Sequence, residues 1–146
     1  MLTSPTEELG GSQVVIVDLD GTLAIRDGRG PYDYTSVSLD KPNDPVVLIT
    51  QAIHSFGVQV IAVSGREDIC RRDTEAWLNK HLGFSPKLFM RSGGDYRPDY
   101  EIKEEIFRRE IDGKFEVLLV LDDRQQTVDM WRKLGLTTFQ VAEGNF

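Results

Sequence analysis

Three polar clusters in the sequence contain residue types that can transfer a phosphoryl group. They are Asp18-Leu19-Asp20-Gly21-Thr22, Ser64-Gly65-Arg66 and Asp122-Asp123-Arg124. A carboxylate can attack phosphorus and form an aspartyl phosphate, and a second carboxylate two residues further on can donate and then remove a proton. Ser64, the backbone amides around Gly65, and Lys103 could hold phosphoryl oxygens while charge moves in the transition state.

The carboxylates of the first and third clusters also indicate a cation. Four carboxylates at close quarters cannot all stay ionised without a counter-charge. A set of oxygen donors favours magnesium over zinc. The clusters therefore predict a Mg²⁺ site. Asp122 and Asp123 could also cap the helix that follows them, and this role is compatible with metal binding.

Five short β-branched runs are the strands predicted to position these clusters. They cover residues 14–17, 58–63, 87–90, 117–121 and 137–141. Amphipathic stretches between them end before Gly57, Gly83, Gly113 and Gly135, which predicts four helices. Strands that are apolar on both faces and alternate with helices indicate a parallel sheet covered on both sides. We therefore predict an α/β, Rossmann-like domain over residues 13–146, with its ligands beyond the carboxyl ends of the strands.

The three clusters and Lys103 resemble the motifs of the haloacid dehalogenase (HAD) phosphohydrolases. Asp18-Leu19-Asp20-Gly21-Thr22-Leu23 is similar to the first motif, Ser64 to the second, Lys103 to the third and Asp122-Asp123 to the fourth. The resemblance implies a three-layer HAD sandwich with a mainly parallel central sheet. It also implies that Asp18 is the phosphorylated nucleophile and Asp20 the general acid and base. An isolated Asp-x-Asp-Gly is also a common turn, so it is the order of four motifs that indicates catalysis.

A narrower resemblance, over residues 14–146, is to the 3′-phosphatase domains of phage-type polynucleotide kinase-phosphatases. It is carried by residues 28–33, 63–67, 103–107, 122–132 and 140–146. The resemblance implies that Mg²⁺ is held by the Asp18 carboxylate, the Asp20 backbone carbonyl and Asp123, with Asp122 close behind. Asp20 would protonate the leaving 3′-oxygen and then activate water.

The same resemblance implies the residues that bind the substrate. The expected contacts to the phosphate or the adjoining strand are Thr22, Arg29, Ser64, Gly65, Arg66, Arg91 and Lys103. Asp99, four residues before Lys103, would orient that lysine or an arginine. Because the chain has no G-x-x-x-x-G-K-[ST] loop, no 5′-kinase activity is expected from it. The chain would be a stand-alone phosphatase or one domain of a longer protein, with a separate kinase or ligase as a possible partner.

The spacing of the motifs bears on the size of the substrate. The segments from Asp18 to Ser64 and from Ser64 to Lys103 are filled by predicted core elements, so we expect no large cap domain. An open site suits a large substrate, such as a single-stranded or nicked 3′ end of DNA or RNA. The predicted function is Mg²⁺-dependent hydrolysis of 3′-phosphate ends, with 2′,3′-cyclic phosphates as a further candidate substrate. The alternatives are a HAD nucleotidase for free mononucleotides, a protein phosphatase and a non-catalytic module that binds ends.

Composition sets the remaining expectations. The net charge of −7 argues against non-specific wrapping of nucleic acid but allows a local basic pocket. No apolar run is long enough to cross a membrane, and residues 1–12 read as a flexible leader rather than a signal peptide. We therefore expect a cytoplasmic protein, in the host cytoplasm if it is phage-encoded. Tyr32, Tyr34 and Tyr96 could either pack or offer a ring to a terminal base.

Overall fold

The computed structural model describes residues 13–146, and the apolar runs form a parallel sheet at its centre. The strands are β1 (Gln13–Val17), β2 (Ala24–Ile25), β3 (Lys41–Pro42), β4 (Gln59–Glu67), β5 (Lys87–Arg91), β6 (Glu116–Asp122) and β7 (Thr138–Gln140). The central sheet has the order β5-β4-β1-β6-β7, and every neighbouring pair is parallel. Because β1 lies between β4 and β6, the residues that follow these three strands meet at one edge.

Two helices cover each face of the sheet. They are α1 (Asp44–Ser55), α2 (Arg71–Leu82), α3 (Asp99–Ile106) and α4 (Gln125–Lys133). One core joins α1 and α2 to alternate residues of β4, among them Val60 and Ala62. The other core joins α3 and α4 to Ile61 and Val63. Since successive side chains of a strand point to opposite faces, one strand supplies both cores, and the expected three-layer α/β sandwich of the HAD fold is confirmed.

The sequence of β1 explains its central position. All five of its residues, Gln13–Val17, are buried, as is required of a parallel strand with helices on both faces. Val14, Ile16 and Val17 each keep at most 1% of their surface exposed. Burying a side chain of this size contributes roughly 1.5–3 kcal/mol, so the strand fixes its own place and that of Asp18 directly after it.

The predicted third helix ends differently from the expectation. Its α-helical part stops at Ile106, and Phe107–Ile111 continue as a π-helical turn, in which the Asp112 N–H donates to the Phe107 carbonyl at 2.8 Å. The wider turn brings Ile111 towards the same face as Ile106, five positions earlier, and both side chains are buried. The apolar pattern predicted one α-helix because a short run of apolar residues does not distinguish 3.6 residues per turn from a slightly wider turn.

No cap domain is inserted into residues 13–146. The segment between β2 and β3 contains turns and one 3₁₀ turn, Val37–Leu39, and β2 pairs antiparallel with β3 as a two-residue ribbon. Among the described helices, none is both long and apolar enough to span a membrane. The expected leader, residues 1–12, lies outside the described residues.

Candidate active site

Three carboxylates and one ammonium group meet at the carboxyl edge of the sheet. Lys103, on α3, places its Nζ 2.9 Å from Asp18 Oδ1 and 3.1 Å from Asp122 Oδ2. One oxygen from each of Asp18, Asp122 and Asp123 lies within 4.8 Å of the other two. All four residues are buried. The structure therefore brings together the predicted nucleophile, the predicted lysine and two of the predicted metal ligands.

The charges of this cluster do not balance. Three carboxylates and one ammonium leave an excess of two negative charges when all are ionised. Burial, followed by the charge of Asp122, raises the pKa of Asp18 well above its usual value. Burial and Asp122 also raise the pKa of Asp123. Burial lowers the pKa of Lys103, but the charges of Asp122 and Asp18 outweigh it and raise that pKa above its usual value. A divalent cation would supply the missing charge, and the donors are all oxygens.

Asp122 and Asp123 have different surroundings. Asp122 accepts four hydrogen bonds, from Lys103 Nζ, Trp131 Nε1 at 3.1 Å and the backbone N–H groups of Asp123 and Arg124. It therefore holds Lys103 and the start of α4. Asp123 lines the cavity together with Asp18, whereas Asp122 does not. The structure thus favours Asp123 over Asp122 as a metal ligand. No side chain caps the first turn of α4 within the described residues, so the helix-capping alternative is not supported.

Thr22 and Gly21 position the carboxylates of the site. Thr22 Oγ1 lies 3.1 Å from Asp123 Oδ1 and 3.4 Å from Asp18 Oδ2, and the residue is fully buried. Thr22 does not line the cavity, and its expected contact to the phosphate stays a prediction. Gly21 has a φ of +81°, and a Cβ there would lie 2.2 Å from Asp123 Oδ2. Only glycine combines this backbone conformation with so close an approach.

Asp20 is held by two buried arginines. Its Oδ1 accepts a hydrogen bond from Arg29 Nη2 and another from Arg66 Nη2, each at 2.9 Å, and its Oδ2 accepts from Arg66 Nε at 3.0 Å. Burial raises the pKa of Asp20, but the hydrogen bonds and charges of Arg66 and Arg29 outweigh it and lower that pKa. Asp20 is therefore ionised at neutral pH and fixed in direction.

Arg29 and Arg66 also share a second, buried carboxylate, Asp40. Both guanidinium groups place Nη2 2.8 Å from Asp40 Oδ2, and the Nε of Arg29 donates to Asp40 Oδ1. The side chains of all three residues are 1% exposed. The remaining Nη1 of Arg66 donates to Thr74 Oγ1 at 3.0 Å. The two arginines therefore position the acid. Both also line the cavity, and their expected phosphate contacts stay a prediction. The sequence analysis missed Asp40 because no motif surrounds it and a loop carboxylate before Lys41 gives no signal of burial.

Asp99 orients two arginines. It accepts hydrogen bonds from Arg91 Nη2 and from Arg124 Nη1, the latter at 2.7 Å. Arg91 also donates to the backbone carbonyls of Gly65 and Asp95, each at 2.8 Å, so it braces the wall of the site. Its expected phosphate contact stays a prediction. A Cβ on Gly65 would lie 2.6 Å from Asp99 Oδ1, which explains why a glycine stands there.

Arg124 is a second residue to which the sequence analysis gave no role. Its Cζ lies 4.8 Å from the centre of the Phe146 ring, and Asp99 holds its Nη1. Its buried Nε has no hydrogen-bond partner among residues 13–146. The adjacent Asp122-Asp123 pair was the only signal in the sequence. Arg124 thus presents a donor beside Asp123 on the cavity wall.

The site opens into a cavity of about 930 Å³. Asp18, Asp20, Lys103 and Asp123 line it, together with Gly65, Arg66 and Arg91. Ser64 does not line it: the residue is fully buried and its Oγ accepts the backbone N–H of Arg66 at 3.1 Å. The arrangement offers a carboxylate nucleophile, a fixed second carboxylate, a buried ammonium and oxygen donors for a metal.

A protein family and a viral protein match this chain in sequence. The family described as "Polynucleotide kinase PNKP phosphatase domain" matches residues 12–146. A protein of Autographa californica nuclear polyhedrosis virus described as "Putative bifunctional polynucleotide kinase/RNA ligase" is 35% identical over 129 residues, which are 86% of this chain and 19% of that protein.

Two solved structures are similar to this chain in fold. A chain in the "Structure of the Pnkp1/Rnl/Hen1 RNA repair complex" matches with a TM-score of 0.89 and 44% identity, over 94% of this chain and 44% of its own length. A D,D-heptose 1.7-bisphosphate phosphatase from B. bronchiseptica, complexed with magnesium and phosphate, shares the fold, with a TM-score of 0.59 and 12% identity over 86% of this chain and 78% of that one. The chain thus spans less than half the length of the more similar relatives.

Proposed function

The chain belongs to the phosphatase-domain family of polynucleotide kinase PNKP, and on that premise we propose that it removes the 3′-phosphate from RNA or DNA ends. The hydrolysis would depend on Mg²⁺ and pass through an aspartyl phosphate. One observation carries the proposal: Asp18, at the end of the central strand, lies beside Lys103 at the floor of a broad cavity. The match to a chain of an RNA repair complex favours RNA ends.

In the first step, an Asp18 oxygen would form a bond to phosphorus while the bond from phosphorus to the 3′-oxygen breaks. Asp20 would give its proton to that leaving oxygen. Without substrate, the arginines lower the pKa of Asp20. For Asp20 to carry a proton in this step, its pKa must be higher when the substrate is bound. A bound phosphate dianion has this effect, because a neighbouring negative charge disfavours a second one.

In the second step, Asp20 would remove a proton from water, and the water oxygen would attack the phosphorus of the aspartyl phosphate. The bond between phosphorus and the Asp18 oxygen breaks, which releases inorganic phosphate and restores the carboxylate. The hydrogen bonds of Arg29 and Arg66 hold Asp20 in one direction for both steps. Lys103 would offset the negative charge that gathers on the phosphoryl oxygens.

Asp18, Asp123 and the Asp20 backbone carbonyl would hold the magnesium ion, which supplies positive charge against the phosphate oxygens. We expect a chelator such as EDTA to abolish phosphate release and added Mg²⁺ to restore it. Asp123→Ala should raise the Mg²⁺ concentration needed for half-maximal rate by at least about tenfold. Phosphate release across a Mg²⁺ titration tests this, and Asp129→Ala, an exposed acid on α4, is the control. Full activity in EDTA would contradict the metal dependence.

The decisive test of the proposed function uses one oligonucleotide in two forms, with the phosphate at the 3′ end or at the 5′ end. We expect phosphate release from the 3′ form only, measured by electrophoretic shift and free phosphate. An RNA and a DNA version of each form would show which polymer is preferred. Equal rates on a 3′-mononucleotide and the oligonucleotide would instead indicate a nucleotidase. Hydrolysis of an aryl phosphate alone would remove the nucleic-acid assignment.

The relatives also suggest the setting of this reaction. They are a polynucleotide kinase/RNA ligase and a chain of a Pnkp1/Rnl/Hen1 complex, both longer than this chain. We propose that kinase and ligase activities, on the same protein or on partners, use the 3′-hydroxyl that this domain leaves. This order follows from chemistry, because a ligase needs a 3′-hydroxyl to join to a 5′-phosphate.

A further inference from the structure

The cavity extends well beyond the phosphate chemistry at its floor. Two loops form its outer wall, residues 25–34 and residues 95–98. Each loop carries a tyrosine at the rim, Tyr32 with 82% and Tyr96 with 85% of its surface exposed. Within residues 13–146 neither tyrosine has a hydrogen bond or a ring contact. Tyr34, by contrast, packs against the core. Two exposed aromatic rings thus lie at the mouth of the site.

Both loops are anchored by the buried arginines of the site. Arg29 Nη1 donates to the carbonyls of Gly30 and Asp33, which bracket Tyr32. Arg91 Nη1 donates to the carbonyls of Asp95 and Arg97, which bracket Tyr96. The ring-bearing turns are therefore fixed by residues that also hold Asp20 and Asp99. A ring on a fixed turn loses little conformational entropy when it binds a flat partner.

Among residues 13–146, one basic side chain of the cavity wall, Arg26, forms no ion pair. The other basic residues on the cavity wall each have a carboxylate partner: Arg29, Arg66, Arg91, Arg97, Lys103 and Arg124. Arg26 lines the same wall, is exposed, and has neither an ion pair nor a hydrogen bond within residues 13–146. An exposed, unpaired guanidinium beside aromatic rings matches the alternation of base and phosphodiester in a single strand.

We propose that Arg26, Tyr32 and Tyr96 form a binding subsite for the last nucleotides of a single-stranded 3′ end. The tyrosines stack on bases, and Arg26 contacts the phosphodiester that precedes the terminal nucleotide. This inference rests on the proposed function and deepens it, because it makes the substrate a strand rather than a mononucleotide. Stacking on an aromatic ring is possible for every base, so the subsite favours single strands without selecting a sequence.

The test compares three substrates: a 3′-phosphorylated single-stranded oligonucleotide, the same strand with its last two bases missing, and an aryl phosphate. For Tyr32→Ala and Tyr96→Ala we expect kcat/KM on the intact strand to fall by about tenfold to a hundredfold, mainly through KM. The rate on the aryl phosphate should stay within about twofold. Tyr96→Phe keeps the ring and should keep the activity. On the strand that lacks its last two bases, the kcat/KM of the wild type should fall to the value that the alanine variants have on the intact strand.

Arg26→Gln has a separate readout. We expect the slope of log(kcat/KM) against log salt concentration to become shallower by about 0.7, the value for one phosphate contact to a single strand. Arg72→Gln is the matched control, since Arg72 is exposed, has no ion pair within residues 13–146 and lies outside the cavity. Phe139→Ala, an exposed aromatic outside the cavity, is the control for the tyrosines.

The outcomes separate the two proposals. Unchanged kcat/KM on the strand in both tyrosine variants, or an equal loss on the aryl phosphate, overturns the subsite alone. A wild type that hydrolyses the aryl phosphate but no 3′-phosphorylated strand overturns the proposed function and the subsite with it. A preference for a phosphopeptide over the strand would do the same.

Discussion

Asp18→Asn is expected to abolish phosphate release while making the fold more stable. The amide cannot attack phosphorus, so we expect a loss of at least about a thousandfold in kcat, the scale seen when a nucleophile is removed. The free energy of unfolding, in contrast, should increase. The folded pKa of Asp18 is raised by burial and by Asp122, so its ionised form opposes folding at pH 7. A neutral side chain removes that cost.

Two measurements on the same protein test this pair of effects. Phosphate release from the 3′-phosphorylated oligonucleotide reports the activity, and urea denaturation without divalent cations reports the free energy of unfolding. Asp73→Asn, an exposed acid on α2, is the control and should change neither. An active Asp18→Asn protein would eliminate Asp18 as the nucleophile. An inactive protein that is also less stable would show that the attraction between Lys103 and Asp18 stabilises the fold by more than the repulsion among the three carboxylates destabilises it.

Asp40→Ala is expected to have the largest effect on stability. The carboxylate lies between Arg29 and Arg66, and all three side chains are 1% exposed. Removing it leaves two buried guanidinium groups with Asp20 as their remaining carboxylate. Breaking a buried ion pair in this way costs about 3–5 kcal/mol. Activity should fall as well, because both arginines would be freer to turn away from Asp20.

Urea denaturation at several temperatures measures the change in the free energy of unfolding that Asp40→Ala causes. The control is Asp27→Ala, because Asp27 and Lys41 form an exposed pair at 3.9 Å, and exposed pairs contribute less than about 1 kcal/mol. Should Asp40→Ala fail to fold, Asp40→Asn keeps the shape and one acceptor oxygen, which can still accept the two hydrogen bonds that Oδ2 accepts now. It should therefore be destabilised by a smaller amount. Equal effects of Asp40→Ala and Asp27→Ala would show that Asp40 does not anchor the arginines.

The sequence was sufficient for the sheet and for the position of the acids. Runs such as Val14–Val17 are apolar on both faces, and only a doubly covered parallel strand satisfies that pattern. The carboxyl ends of such strands must meet, so Asp18 and Asp123 could be placed together before any contact was known. Lys103 followed from its motif, and the structure brings its Nζ to Asp18.

The directions of the polar side chains could not be predicted in the same way. A residue type at a strand end shows which groups are near the site, but tertiary partners decide where each donor points. Arg29 and Arg66 turn to Asp20 and Asp40 because burial makes an unpaired guanidinium far more costly than a paired one. Asp40 itself lies on a loop, where a carboxylate usually faces water, so nothing in its neighbourhood indicated its role.

The π-helical turn at Phe107–Ile111 has a consequence for how the chain can change in length. A π turn holds one residue more than an α turn, and here the extra residue falls on the exposed side, at Arg108 and Arg109. Asp99 and Lys103 lie in the preceding α-helix, four residues apart, and their register is set before the turn begins. A one-residue deletion at Arg108 would restore an ordinary turn without shifting either of them. We therefore expect a one-residue change of length beyond Ile106 to leave Lys103 in place, whereas one between Asp99 and Lys103 would rotate the lysine away from its carboxylates.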